Sequence, residues 1–231
     1  MFDLDIPVLV PRRADHGRRD KIWAQLCERV WWGQNVIEGH HEGGLFNRSA
    51  ALNTAAEIAD DWDFAVIADA DSFVPAGQLA GAISLARRTG HMVIAHSRWI
   101  NVELDETRQI LEHGWIEYRD HRMMLEFTVS SMLVVPRTVW DLVHGFDERF
   151  SGWGCEDRAF ARACKVLDAP PLRIDGPVFH LAHDRPVEDV KRRRSAAFLR
   201  NERRWQQYLG ARTADAMRAI VAGNRVAEVA A

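Results

Sequence analysis

The sequence predicts an α/β fold with a mostly parallel central sheet flanked by helices. Through the first half of the chain, short apolar runs alternate with segments of helical period, which is the pattern of strands joined by crossover helices. Charged residues follow two of these runs, at residues 11–13 and 69–71, where the carboxyl ends of strands in open α/β sheets bind ligands. The length of 231 residues is ordinary for a single domain of this class.

The first half of the chain is predicted to consist of strands and helices in alternation. Apolar runs predict strands at residues 6–10, 64–68 and 91–95. Apolar residues at helical spacing predict helices at residues 22–30, 51–58 and 76–88. Residues 101–120 are polar and weakly periodic, which is typical of an excursion or hairpin over the sheet.

The second half is predicted to continue the alternation around an unusual loop. We predict a long strand at 125–135, a short helix at 136–143, a helix at 156–167, a strand near Val178 and a basic C-terminal helix from about residue 186. Residues 145–154 form a loop rich in glycine and aromatic residues. Because no segment has the composition of a flexible linker, we expect one domain over residues 1–231 in which both halves share one sheet.

Composition and charge argue against several classes of protein. Hydrophobic residues make up 47% and charged residues 27% of the chain, so neither disorder nor a fibrous repeat is indicated. No apolar run approaches the roughly 18 to 20 residues of a membrane span, and the acidic N-terminus is unlike a secretory signal, so we expect a cytoplasmic protein. The three cysteines are scattered and predict neither disulfides nor a cysteine metal site.

The net charge of −3 argues against a general affinity for nucleic acids. Basic residues are nevertheless concentrated in one cluster, which comprises Lys191, Arg192, Arg193, Arg194, Arg200, Arg203 and Arg204. Charge runs of this kind are usually solvated helix faces. An anionic membrane or a nucleic-acid acceptor would be attracted to the cluster, but we assign it no partner.

Asp69 and Asp71 are candidate ligands of a divalent metal ion, since they directly follow a buried strand. A carboxylate at this position can hold Mg²⁺ or Mn²⁺ against a diphosphate and so steady a departing nucleotide. Two aspartates after a strand can also cap the next helix or solvate a turn. The pair by itself leaves both interpretations open.

Residues 145–157 combine glycines, three aromatic residues and an acidic pair at a predicted helix start. An aromatic residue beside glycine, as Trp153 is beside Gly152, can present its face to a sugar ring. A nearby carboxylate, Glu156 or Asp157, can take the proton from an attacking hydroxyl. The alternative is that the acids only favour the helix dipole and the tryptophan only fills the core.

Four segments together resemble the β-1,4-galactosyltransferase family and its relatives among polypeptide N-acetylgalactosaminyltransferases and bacterial chondroitin polymerases. They are Val10-Pro11-Arg12-Arg13, Phe46-Asn47-Arg48-Ser49 with Leu52-Asn53, Asp69-Ala70-Asp71, and residues 145–157. The resemblance covers most of residues 6–185. It implies a GT-A (Rossmann-like) nucleotide-diphospho-sugar transferase fold and a metal-dependent inverting hexosyl transfer. A hexose or N-acetylhexosamine would pass from a nucleotide diphosphate sugar, most plausibly a UDP-sugar, to an acceptor hydroxyl.

The resemblance also implies a division of the chain into three parts. About residues 1–120 would form the donor half, about 121–185 the acceptor and catalytic half, and about 186–231 a basic helical segment. Donor binding is assigned by resemblance to Pro11, Arg12, Arg13, Asn47, Arg48 and Asp69. The forked guanidinium of arginine suits a diphosphate, because it donates two hydrogen bonds at once.

The cofactor implied by the resemblance is Mn²⁺ or Mg²⁺. Asp71 and a downstream histidine, His183, would be its ligands, with Asp69 in the shell of both donor and metal. The galactosyltransferases place a methionine ligand three residues before the histidine, and here that position is His180. The sequence leaves open whether His180 is structural or a second nitrogen ligand.

The catalytic and acceptor residues implied by the resemblance lie in the matched Gly-Trp-Gly-x-Glu-Asp motif. Asp157 would be the catalytic base, and Glu156 an acceptor-binding or base-orienting group. Gly152 and Trp153 would line the acceptor site.

Two other functions remain as alternatives. A nucleotidyltransferase of related fold would attack phosphorus and release pyrophosphate. A sugar-nucleotide or glycan-binding protein would lack turnover, although the intact Glu156-Asp157 pair argues against it. The sequence specifies neither the sugar nor the oligomeric state, and the acceptor could be a glycan, a protein, a lipid or a modified nucleobase.

Overall fold

The computed structural model describes residues 5–113, 124–126, 128–183 and 195–225. The strands are β1 (Val8–Arg12), β2 (Val36–His40), β3 (Phe64–Ala68), β4 (Ser72–Phe73), β5 (Val93–Ile94), β6 (Arg98–Asn101), β7 (Met124–Glu126), β8 (Met132–Pro136), β9 (Leu172–Arg173) and β10 (Pro177–His180). The helices are α1 (Arg18–Arg29), α2 (Arg48–Ile58), α3 (Ala76–Thr89), α4 (Leu104–His113), α5 (Arg137–Leu142), α6 (Glu156–Leu167), α7 (Ala196–Gly210) and α8 (Ala214–Val221).

Within the described residues, six strands form the central sheet in the order β2-β1-β3-β8-β5-β9. β1 pairs in parallel with β2 and β3, and β5 pairs in parallel with β9. β8 lies between β3 and β5 and runs antiparallel to both. The predicted α/β fold with a mostly parallel sheet is confirmed, and strands from both halves of the chain contribute to it.

Helices cover both faces of the central sheet because its strands carry apolar side chains on both. In β1, Leu9 packs into one core cluster, whereas Val8 and Val10 pack into the other, as the two-residue alternation of strand side chains requires. The first cluster takes residues from α2, α5, α6, α7 and α8. The second takes residues from α1, α3 and α4.

A smaller sheet in the order β4-β10-β6-β7 positions the site. β4 follows the end of β3 almost directly and pairs antiparallel with β10, in a register that sets Ser72 opposite His180. The Leu181 N–H also donates to the Asp71 carbonyl oxygen over 2.9 Å. This pairing brings the residues after β10 beside the aspartates after β3.

β2 is an edge strand that the apolar pattern does not predict. Its residues include Glu38 and Gly39 and are mostly half-buried, so the strand lacks a continuous apolar run. A Cβ built on Gly39 would lie 1.7 Å from the carbonyl oxygen of Ala51 in α2. Glycine is therefore needed for α2 to pack directly on β2.

The single long strand predicted at residues 125–135 is wrong. The chain instead forms β7 in the smaller sheet and β8 in the central sheet. Just before β8, Ser131 adopts a left-handed backbone with φ of 72°. An apolar run cannot reveal such a change of sheet, because it depends on which partner strands are nearby.

Two further predictions fall partly outside the described residues. The polar segment at 101–120 contains the end of β6 and all of α4, and its remainder from residue 114 is not among the described ones. The basic helix predicted from about residue 186 is described only as α7 from Ala196, because residues 184–194 lie outside the described ranges. In the part of the chain that is described, none of the helices combines the length and apolar character needed to span a bilayer.

Candidate active site

Asp71, His180 and His183 form a group whose ligand atoms all lie within 4.8 Å of one another. The His183 Nε2 lies 3.2 Å from Asp71 Oδ2, and the His180 Nε2 lies 3.7 Å from Asp71 Oδ1. A carboxylate and two imidazoles are a donor set that divalent transition metals accept, and Mn²⁺ accepts nitrogen more readily than Mg²⁺ does. These residues therefore fit the divalent ion that the sequence implies, with Mn²⁺ favoured.

Asp71 is held in the ionised form that a metal ligand requires. Burial by itself would raise its pKa, but the hydrogen bond with His183 and the surrounding cationic groups lower the pKa below its usual value. The ring of His180 stacks on Trp99 at a centroid distance of 5.1 Å, which orients the imidazole toward the aspartate. His180, whose role the sequence leaves open, thus belongs to the metal-ready group.

Arg48 bridges two carboxylates that come from different elements. Its Nε and Nη2 donate to Asp69 Oδ1 over 3.0 and 2.7 Å, and its Nη1 donates to Asp157 Oδ1 over 2.7 Å. Asn47 caps α2 by accepting from the Ala50 N–H, which fixes the turn from which Arg48 projects. The end of β3 and the start of α6 are linked through this one guanidinium.

Asp69 is bound by protein groups on both of its oxygens. Its Oδ2 accepts from the Ser131 hydroxyl over 2.9 Å, while its Oδ1 faces Arg48. Its backbone N–H also donates to the Ser131 carbonyl oxygen. Within the described residues, the metal-ready group includes Asp71 but not Asp69, and the roles of Asp69 beside the donor and in the metal shell stay predictions.

Asp157 has the basic character expected of a proton acceptor. Burial raises its pKa well above the usual value, Arg48 opposes that rise, and the negative charges of Glu156 and Asp69 add to it. The pKa of Glu156 is raised as well, chiefly by burial. A carboxylate with a raised pKa takes a proton from a hydroxyl more readily at neutral pH.

Glu156 presents an unsatisfied acceptor. Its Oε2 is buried and has no hydrogen-bond partner among the described residues. Such groups are uncommon in folded proteins and often mark a binding or catalytic position. Since Glu156 begins α6 next to Asp157, a substrate hydroxyl bound there would lie close to the candidate base.

Trp153 lies on a glycine loop directly before α6 and is 42% exposed. Its ring stacks on Phe198 of α7 at 5.3 Å between centroids, with 20° between the planes. Gly154 has φ of 108°, and a Cβ built there would lie 3.1 Å from the Phe198 ring. The loop therefore needs glycine at residue 154 for Trp153 to rest on α7 with an accessible face.

The residues assigned to the donor by the first motif have mainly internal contacts. Pro11 is buried in β1. Arg12 pairs with Asp20 at 2.8 Å and with Glu38 at 2.7 Å. Arg13 donates to the carbonyl oxygens of His41, Gly43 and Gly44, and its guanidinium lies over the Phe46 ring.

Asn47, from the second motif, also has an internal contact, since its side-chain amide donates to the Glu148 carbonyl oxygen over 2.6 Å. These contacts organise the loops around the site.

Comparison with known proteins finds similarity at low sequence identity. No protein-family model and no curated protein matches the chain. The catalytic domain of Drosophila β1,4-galactosyltransferase 7, in complex with xylobiose, is 15% identical over 76% of this chain and 65% of that chain, with a TM-score of 0.43. Glucosyl-3-phosphoglycerate synthase from Mycobacterium tuberculosis, in complex with Mn²⁺, UDP-glucose and phosphoglyceric acid, is 12% identical over 90% of this chain and 79% of that chain, with a TM-score of 0.47. The match thus spans 65% of the length of the Drosophila catalytic-domain chain.

The structure adds two residues that sequence reasoning did not single out. Ser131 binds Asp69, and the only sequence signal for it is its place before a strand. Arg19 lies beside the metal-ready group, with its Nη2 at 3.3 Å from His183 Nε2. The arginine-rich stretch after β1 indicates that a cation is available, but not which arginine reaches the site.

Proposed function

We propose that the chain is a metal-dependent, inverting glycosyltransferase of the GT-A type. It moves a hexose or N-acetylhexosamine from a nucleotide diphosphate sugar, with UDP-sugars favoured, to an acceptor hydroxyl. The observation that carries the proposal is the placement of a metal-ready group after β3 and an acidic pair at the start of α6, linked through Arg48 and Asp69. The division into a donor half at about 1–120 and an acceptor half at about 121–185 belongs to the same proposal.

Asp71, His180 and His183 would hold Mn²⁺ in this proposal, since their donor atoms converge. When bound, the ion supplies positive charge that stabilises the departing nucleoside diphosphate. Asp69, two residues before Asp71 and bound to Arg48 and Ser131, would orient the donor sugar or ribose with its carboxylate.

Asp157 acts as the general base. It takes the proton from the acceptor hydroxyl while that oxygen forms a bond to the anomeric carbon, and the bond from that carbon to the diphosphate oxygen breaks with its electron pair. A single displacement of this kind inverts the anomeric configuration, and its transition state has oxocarbenium character as in glycoside hydrolysis. Arg48 holds Asp157 in place through its 2.7 Å contact.

Glu156 and Trp153 form the acceptor side. The unpaired Glu156 Oε2 accepts a hydrogen bond from the acceptor, and the exposed face of Trp153 packs against an apolar ring face. Gly152 shapes this loop with φ of 72°. Several acceptor classes can make these contacts. A sugar ring makes both, with a hydroxyl on Glu156 and a ring face on Trp153.

The test is release of nucleoside diphosphate from a panel of UDP- and GDP-sugars with Mn²⁺, Mg²⁺ or chelator, since slow donor hydrolysis needs no acceptor. We expect release from one donor, abolished by chelator and by Asp71→Asn. Release of pyrophosphate from a nucleoside triphosphate and sugar phosphate would favour a nucleotidyltransferase instead. Donor binding in calorimetry without release, even with candidate acceptors present, would favour a binding protein.

A further inference from the structure

The guanidinium of Arg19 lies directly beside the metal-ready group. Its Nη2 lies 3.3 Å from His183 Nε2, and its Nε lies 3.9 Å from Asp71 Oδ2. The His183 Nε2 and the Asp71 Oδ2 themselves lie 3.2 Å apart. The guanidinium of Arg19 therefore lies against the same two atoms that would coordinate the ion.

The contact of Arg19 with His183 and coordination of a metal by His183 exclude each other. A metal ion bound to this nitrogen would take its lone pair and lie closer to it than the Arg19 Nη2 does at 3.3 Å. Two positive charges beside the same nitrogen also repel each other. Metal binding through this nitrogen must therefore displace the guanidinium.

Only the side chain of Arg19 needs to move, because the first turn of α1 is anchored. The Asp15 carboxylate accepts from the N–H groups of Gly17 at 2.8 Å and of Arg19 at 3.3 Å. The Arg19 side chain is 43% exposed, so it has space on the solvent side. Its Nε is buried without a hydrogen-bond partner among the described residues, so the present position leaves one donor unsatisfied.

The displaced guanidinium has an obvious anionic target. A diphosphate held by a metal on Asp71 and His183 would be within reach of Arg19, which already contacts both residues. A guanidinium binds two phosphate oxygens with parallel hydrogen bonds. The arginines assigned to the donor by the first motif are instead engaged, Arg12 with Asp20 and Arg13 with backbone carbonyls. Arg19, by contrast, contacts two members of the metal-ready group itself.

We propose that Arg19 competes with the metal ion for Asp71 and His183, and turns to the diphosphate of the donor when metal and donor bind. The competition stands on the geometry of three side chains, whereas the transfer to the diphosphate rests on the proposed function. If Arg19 were only a structural ion pair of Asp71, its removal would lower stability and strengthen no binding. The competition therefore predicts tighter Mn²⁺ binding when Arg19 is removed, whereas a purely structural role predicts no tightening.

The first measurement is Mn²⁺ binding to the full chain by calorimetry and by electron paramagnetic resonance, without nucleotide. Arg19→Ala should bind Mn²⁺ about fivefold more tightly than the unaltered protein, because a nearby competing charge is gone. Arg29→Ala is the matched control: it removes the same charge about 15 Å further along the same helix, where Arg29 donates a hydrogen bond to Gln25 in the described structure. Unchanged or weaker Mn²⁺ binding by Arg19→Ala would overturn the competition.

The second measurement is binding of UDP and GDP at saturating Mn²⁺. Arg19→Ala should bind the nucleotide about tenfold more weakly, because a charge-assisted contact to phosphate is lost, and Arg29→Ala should match the unaltered protein. Equal nucleotide affinity in Arg19→Ala would overturn the transfer to the diphosphate. If the unaltered protein bound Mn²⁺ but no nucleoside diphosphate, the proposed function would fail, while the first measurement would still decide the competition.

Discussion

Arg48 links two carboxylates of the candidate site that come from distant parts of the chain. Its side chain is 13% exposed and contacts Asp69 and Asp157 at 2.7 Å each. Burial opposes its charge, but the surrounding carboxylates outweigh burial and raise its pKa. One cation therefore compensates a cluster of acids that would otherwise repel one another.

Asp157→Asn tests the base at the residue scale. The amide keeps the size of the side chain and can still accept a hydrogen bond from Arg48, but it cannot take a proton. Donor affinity should be unchanged, while turnover should fall about 10²-fold to 10⁴-fold, the usual contribution of a general base. Calorimetry with donor and steady-state rates make the comparison, and full turnover in this variant would rule out the assigned role.

The stability of the protein is expected to depend on pH through Asp157. Its pKa in the folded protein is raised, chiefly by burial. In the window between the unfolded and folded pKa values, the folded state binds more protons, so the free energy of unfolding falls as the pH rises. Asp157→Asn removes this titration, so its melting temperature should rise relative to that of the unaltered protein as the pH rises above about 4, the usual pKa of an unfolded aspartate.

The control for this pH dependence is Asp215→Asn, because the Asp215 side chain is 95% exposed. Its melting temperature should follow that of the unaltered protein at every pH. A constant difference between Asp157→Asn and the unaltered protein across the range would contradict the prediction.

At the scale of elements, the start of α6 is shaped by the helix that packs against its loop. Asn201 of α7 donates to the carbonyl oxygens of Ser151 and Trp153, and accepts from the Ser151 N–H. Phe198 of the same helix supports the Trp153 ring. The conformation of the Trp153 loop, which we propose as the acceptor side, thus depends on α7.

Gly154→Ala tests the loop. The left-handed backbone at φ of 108° and the Phe198 ring at 3.1 Å both oppose a Cβ, so we expect a loss of about 1–3 kcal/mol in the free energy of unfolding. Chemical denaturation provides the measurement. Gly81→Ala is the control of opposite sign, since a Cβ there meets nothing within 4 Å and alanine in a helix interior contributes about 0.5–1 kcal/mol. Equal effects of both variants would show that the loop carries no strain.

At the scale of the whole molecule, α7 holds in place the segment around Asp147, which leads into the site. The side chain of Asp147 is 1% exposed and accepts from Arg149, Arg204 and the Tyr208 hydroxyl. Arg204, which sequence patterning assigns to a solvated basic face, is 16% exposed in this ion pair. Part of the basic cluster therefore serves the fold.

Asp147→Ala tests this lock. Removing the carboxylate leaves the partly buried Arg204 without its ion-pair partner, so the free energy of unfolding should fall by about 2–4 kcal/mol. Asp215→Ala removes an exposed carboxylate from an i,i+3 pair with Arg218 and should change stability by at most about 0.5 kcal/mol. Denaturant titration compares the two, and a loss no larger than the control would show that α7 and α8 hold the segment by apolar packing alone.

Local patterns in the sequence predict most of the elements. The helix predicted at 156–167 coincides with α6 (Glu156–Leu167), because an acidic first turn and a helical apolar stripe are local signals. The strand at 64–68 likewise coincides with β3, because a buried run between turn residues is local. The sequence also singles out both aspartates, the acidic pair and Trp153 as site candidates, by residue type and by resemblance.

Only the tertiary structure decided which side chains meet. The pairing of β10 with β4 sets His180 beside Asp71, and α2, packed on β1 and β2, begins where Arg48 reaches both Asp69 and Asp157. Arg19 reaches His183 because α1 begins at the same edge of the sheet. Periodicity records how a segment faces its own core, whereas contacts between distant segments depend on strand order, register and side-chain reach, which no local pattern contains.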